Sequence, residues 1–237
     1  TCFHRPRKPF RARPCLRHFI SPPALVLAVL LGSGGTGEVV AAPEPAAAAR
    51  PVLRVAYFIP ADREPLPDRV ARVDRVLTEV QRFYREGMEQ NGYGPMTFPL
   101  DRRADGQLRI YEVRGQEPMR AYGREDSRKV RDEVRAALAR QGLEMDSETV
   151  IIFQLLLDWQ GDEAIEIGPY CGGGDAGGGT AWVYDDAKLD PQLLTSRAPG
   201  GFYHRPCSLG EFNTHYLGGV AHELGHAMHS YYSHTEQ

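Results

Sequence analysis

Thr149-Val-Ile-Ile-Phe-Gln-Leu-Leu-Leu157 is a nine-residue run in which Gln154 is the only polar interruption after Thr149. A run that is apolar on both faces and rich in β-branched residues reads as a central strand, covered on both sides, of the kind found in parallel sheets. Working outward from it, Glu125 to Arg140 carries Val130, Val134, Ala137 and Leu138 on one face and stops at Gly142, which predicts a helix. Further upstream, Asp68 to Gln90 places Val70, Val73, Leu77, Val80, Tyr84 and Met88 at steps of three and four, closed by Asn91-Gly92, and predicts a longer one. Leu53-Arg-Val-Ala-Tyr-Phe-Ile59, ending at Pro60, reads as the first strand. Thr97–Leu100 and Leu108–Val113, separated by Asp105-Gly106, read as a hairpin. Strands alternating with amphipathic helices predict an α/β (α+β) domain around a sheet.

Downstream the character changes. Cys171-Gly-Gly-Gly-Asp-Ala-Gly-Gly-Gly179 has six glycines in nine residues and no Gly-Lys-Ser/Thr ending, so it is not a phosphate loop. It reads as a flexible surface loop, in the sharper version one that flanks a cleft, because it leads into the short strand Thr180-Ala-Trp-Val-Tyr184. Asp185 and Asp186 follow as a solvated strand end, with cation binding as the rival reading. Cys171 and Cys207 are a disulfide candidate in an oxidising compartment; the alternative is a pair of buried thiols. Zinc ligation by them is disfavoured, since neither has a Cys or His neighbour at finger-like spacing.

The chain of 237 residues is 42% hydrophobic and 25% charged, which excludes collagen, coiled coil, wholesale disorder and a multi-span membrane protein. Its first segment reads as an address. Residues 1–20 hold six basic residues and no acid, Ala24 to Leu31 is an apolar run of eight, and small residues follow up to Ala42. That order is the layout of a secretory signal peptide, and its apolar core is far short of the ~20 residues a membrane span needs. Residues 1–42 are thus expected to be a leader, 43–51 a linker and 52–237 the folded domain, in a secreted or periplasmic protein. Removing 1–42 takes away six of 28 basic and one of 31 acidic residues, leaving a net charge of −8. An acidic domain without a basic run argues against a nucleic-acid partner and against stable membrane insertion once the leader is gone. The oligomeric state is open.

Six of the eight histidines fall between His204 and His234. Among them, His222-Glu-Leu-Gly-His226 puts two imidazoles four residues apart, one turn from each other on one helical face, where both reach a single zinc ion. Glu223, beside the first histidine, stands next to the metal and not on it. There it can take a proton from a water whose pKa the metal lowers to about 7, acting as general base. Val220, Ala221, Leu224, Ala227 and Met228 make an apolar, uncharged setting, and Gly218-Gly219 permits close packing ahead of it.

With this pattern the sequence resembles the zincin metallopeptidases. The resemblance implies a zincin-like twisted mixed sheet, an edge strand over a substrate cleft and an HExxH metal helix, with Thr180–Tyr184 as the edge strand and extended peptide or protein as substrate. Over about 13 residues, Ala221-His-Glu-Leu-Gly-His-Ala-Met-His-Ser-Tyr-Tyr-Ser233 is similar to the metal helix of oligoendopeptidase F and the thimet-type oligopeptidases. Those enzymes are large and mostly helical. The rest of the chain looks more like a small secreted bacterial metallopeptidase.

A catalytic zinc site of this kind needs a third protein ligand. His229 shares the face but lies about 10 Å along the axis from His222. The metzincin pattern fails, since His229 and Tyr232 stand where its glycine and third histidine belong. His234 is the candidate carried forward. Glu236, His204 and His215 are weaker ones, and a ligand beyond Gln237 would make the chain truncated within its site. Tyr231 and Tyr232 read as an aromatic pair packing the helix end, with oxyanion donation as the alternative. The leading expectation is a secreted zinc metallopeptidase with Zn2+ on His222 and His226 and Glu223 as base. Its rivals are a non-catalytic or truncated zinc-binding module and a zinc hydrolase of non-peptide amides.

Overall fold

The computed structural model describes residues 52–175, 177–202 and 205–228. A five-stranded mixed sheet is its centre, built from β1 (Arg54–Ile59), β2 (Ile110–Arg114), β3 (Thr149–Gln154), β6 (Cys171–Asp175) and β7 (Gly178–Tyr184) in the order β2-β1-β3-β7-β6. β2, β1, β3 and β7 run parallel, and β6 pairs antiparallel with β7 at the edge. The run read as apolar on both faces is buried on both, with Val150 to Phe153 almost wholly inaccessible, and Val55 to Ile59 of the first strand are buried as deeply. The remaining pair, β4 (Leu157–Gln160) and β5 (Glu163–Glu166), forms a separate antiparallel hairpin around Gly161, which turns at φ 64°. The apolar run therefore ends as a strand at Gln154, and its Leu157 opens the next hairpin.

The described residues also form three α-helices, α1 (Arg69–Gln90), α2 (Ser127–Ala139) and α3 (Leu209–Ala227). α1 and α2 lie within two residues of their predicted ends. Each buries its spaced aliphatic face, Val73, Val76, Leu77 and Val80 in α1 and Val130, Val134 and Leu138 in α2. α3 packs on β6 and β7 and beside α1, while α2 packs on β1 and β2 and against the turn at Met145–Ser147. No helix of the described residues is long and apolar enough to cross a membrane.

Five local expectations are corrected. Thr97–Leu100 is not a strand. The Asp105-Gly106 turn is present, with the Gly106 N–H on the Arg103 carbonyl at 2.9 Å, but it closes only a single bridge, Arg102 to Leu108. Leu108–Val113 instead feeds β2, because pairing parallel with β1 buries Ile110 and Val113. The glycine-rich stretch is not a flexible loop: Cys171–Asp175 is β6, and β6, not Thr180–Tyr184, is the edge strand. Asp185 is not a solvated strand end. It is buried, takes a two-pronged ion pair from the buried Arg72 of α1 at 3.0 and 2.6 Å, and accepts the Tyr57 hydroxyl at 2.5 Å. This pair ties the end of β7 to α1. Finally, no disulfide joins Cys171 and Cys207. The Cys207 thiol donates to the carbonyls of Gly200 and Gly201 at 3.4 and 3.2 Å.

Candidate metal centre

α3 is a poor helix on propensity alone, with Gly210, Gly218, Gly219 and Gly225 in nineteen residues. Tertiary contact and capping compensate. Ser208 and Glu211 form a reciprocal capping box, in which the Glu211 N–H donates to the Ser208 hydroxyl at 3.2 Å and the Ser208 N–H to the Glu211 carboxylate at 2.9 Å. Ser208→Ala is expected to cost about 1 kcal/mol, read as a lower midpoint in thermal or denaturant unfolding. Further along, the Tyr84 hydroxyl of α1 donates to the Ala221 carbonyl at 2.8 Å, fixing the helix one residue before the first histidine.

The glycines of the edge ribbon explain how α3 sits on the sheet. A Cβ on Gly172 would lie 2.0 Å from the Glu223 carbonyl oxygen, and one on Gly179 would lie 1.9 Å from that of Ala227. Gly174 faces Ala227 in the same way, at 2.8 Å. Strand backbone and helix backbone are thus in direct contact, and no side chain fits between them. Gly219 is explained similarly, since a Cβ there would meet the Tyr170 hydroxyl at 2.5 Å.

On this seat, His222, Glu223 and His226 come together with one ligand atom each, all within 4.8 Å of one another. The Nε2 atoms of the two exposed histidines are 3.1 Å apart, with the rings nearly perpendicular at 88°. Two nitrogens bound at 2.0–2.1 Å to one tetrahedral ion stand about 3.3 Å apart, so the pair already has the spacing of two ligands on a single metal. Glu223 is half-buried beside them, and the Gly172 N–H of the edge strand donates to its carboxylate. Burial pushes this carboxyl up to about 7 against the opposing pull of that hydrogen bond. A divalent cation nearby would draw it down again. Two exposed imidazoles beside a half-buried carboxylate are a set of groups that suits zinc.

The other expected residues divide in two. His215 is on α3, exposed, two turns before His222 and about 10 Å away along the axis. It is not in the cluster, so the structure removes it as a ligand. His204, His229, Tyr231, Tyr232, His234 and Glu236 lie outside the described residues. Among the described residues the cluster has two histidines and Glu223 and no further ligand. Gly172 and Tyr84 were missed by sequence reading. The six-in-nine glycine run was the signal for Gly172, read as looseness when it marks close backbone approach.

No family model matches the chain, and a search of curated proteins finds no match. Solved structures do match. Wild-type OgpA from Akkermansia muciniphila superposes with a TM-score of 0.61 at 25% identity, over 74% of this chain and 47% of OgpA. A catalytically inactive OgpA in complex with an O-glycopeptide substrate, glycodrosocin, gives the same TM-score and coverage at 26% identity. The mixed α/β fold is shared with OgpA, and this chain spans about half of OgpA's length.

Proposed function

We propose that the chain is a zinc-dependent metallopeptidase of zincin type, with O-glycosylated peptides within its substrate range. The observation that carries this reading is the His222–Glu223–His226 cluster, seated by Gly172 on an antiparallel edge strand. The likeness to OgpA, crystallised with an O-glycopeptide substrate, supports both the peptide chemistry and the glycosylated class. In this reading His222 and His226 hold the ion, and His234 is the third ligand carried forward from the sequence. When bound, zinc would supply Lewis acidity toward the scissile carbonyl and a water acidified to a pKa of about 7.

The chain's own residues do the rest. The free edge of β6 receives an extended peptide by main-chain hydrogen bonds. The Gly172 N–H donates to the Glu223 carboxylate and keeps it beside the cluster. Glu223 takes the proton of the attacking water onto its carboxylate and passes it to the departing amine. Residues 1–42, by their basic, apolar and small order, are proposed to export the protein.

The test is metal content measured beside cleavage of a peptide library that contains O-glycosylated members. One zinc per chain, cleavage abolished by a chelator and restored by zinc, is the expected result. Zinc at 100 times its Kd should also stabilise the fold by about 2.7 kcal/mol. Stoichiometric zinc without cleavage of any peptide would instead identify a non-catalytic zinc-binding module.

A further inference from the structure

The edge ribbon has a second face. Residues of β7 alternate, so that Gly179 faces α3, whereas a Cβ on Gly178 would meet the carbonyls of Glu148 and Asp146 on the opposite side. On that opposite side lies a cavity of about 480 Å³, walled by Arg131 and Arg135 of α2, Asp146, Thr180, Trp182 and the backbone of Cys171–Gly174. It backs onto the strand whose Gly172 holds Glu223, and Gly173, the one glycine of 172–174 not directed at α3, puts no side chain across it.

Two donors of the cavity wall lack an acceptor. Asp146 takes Arg131 at 2.6 Å and Arg135 at 3.3 Å, and Asp132 takes another Arg135 nitrogen at 3.0 Å. The Arg135 Nε–H is nevertheless buried without a partner, and so is the indole N–H of Trp182, a residue only 8% exposed. Arg131 and Arg135 are balanced in charge by Asp146 and Asp132, so the call for an acceptor comes from these two unpartnered N–H groups. Buried donors left without acceptors carry a desolvation cost that an incoming acceptor removes. A carboxylate offers acceptors only and matches guanidinium geometry, whereas an ammonium group would set donors against donors.

A peptide added to β6 extends the ribbon, and its side chains alternate between the α3 face and the cavity face. We propose that this cavity is a specificity subsite for a carboxylate carried by the substrate, on an Asp or Glu side chain or on an acidic sugar of a glycosylated residue. The proposal rests on the metallopeptidase reading, in which β6 receives the substrate.

The chain has two tryptophans, so Trp159→Phe leaves Trp182 as the only indole reporter in the full-length protein. Uncleavable reduced-amide peptides carrying Asp, Asn or Lys at one scanned position, and the same peptide with a sialylated or a neutral O-glycan, are titrated against its emission. Acidic probes should bind about 10- to 100-fold tighter than neutral or basic ones. Advantage in the Asp arm assigns the carboxylate to a side chain, and advantage confined to the sialylated arm assigns it to the sugar. Arg131→Glu with Arg135→Glu should turn the preference toward Lys, and the milder Arg131→Gln with Arg135→Gln should abolish it. Equal affinity for all probes, or an acid preference that survives both double variants, would overturn the proposal. Cleavage of unmodified peptides is followed in parallel. Cleavage without acid preference overturns the subsite alone, whereas acid-selective binding by a zinc-loaded chain that cleaves nothing overturns the metallopeptidase reading.

Discussion

Glu223→Gln is expected to keep the metal and to lower peptide cleavage by about 10²–10⁴-fold, the usual contribution of a positioned general base. The substitution is close to isosteric. The glutamine carbonyl can still accept the Gly172 N–H that now holds the carboxylate, so the side chain should stay where it is. What is lost is the capacity to take up a proton and deliver it to the leaving amine. The two imidazoles at 3.1 Å are untouched, so zinc content should not change. His222→Ala should do the opposite, losing zinc first and cleavage with it. Zinc analysis and kcat/KM on the same preparations separate the two. Undiminished cleavage in Glu223→Gln would remove Glu223 as the base, and loss of zinc in that variant would make it a ligand.

What sequence reading caught and missed follows from the range of the signals. α1 and α2 were legible because their apolar spacing is local: Val73, Leu77 and Val80 lie within two turns and bury together. β3 was legible because burial on both faces leaves no polar alternation to confuse it. The histidine pair was legible because a four-residue step fixes helical neighbours whatever the fold does. Strand order is different in kind. Nothing local to Thr180–Tyr184 says that another strand lies outside it, and β6 consists largely of glycines, which give no period-two pattern to read. The fate of Asp185 depends on Arg72, 113 positions earlier, so its burial is invisible from its own neighbourhood.

The glycines that hid the edge strand give the sharpest structural prediction. Gly179→Ala is expected to destabilise the domain by about 1–3 kcal/mol or more through overpacking, and to lower cleavage by about 100-fold through displacement of the metal helix. The new methyl carbon would stand 1.9 Å from the Ala227 carbonyl oxygen. That atom belongs to a helix backbone, not to the end of a flexible side chain, so relief requires α3 to move off the sheet. Ala227 follows His226 directly, and the displacement therefore passes straight to one of the two histidines proposed to hold zinc. Gly172→Ala meets the Glu223 carbonyl at 2.0 Å and should behave alike. Gly173→Ala is the control. It is in the same strand, yet a Cβ there has nothing within 4 Å. Because glycine weakens a strand by roughly 0.5–1 kcal/mol relative to alanine, Gly173→Ala should unfold at the wild-type midpoint or slightly above it. None of the three positions has positive φ, so backbone conformation does not separate them. Equal tolerance of alanine at 172, 173 and 179 in denaturant unfolding would show that the helix is not seated on the ribbon backbone. A loss confined to 172 and 179, accompanied by weaker zinc binding, would tie the six-glycine run directly to the geometry of the metal centre.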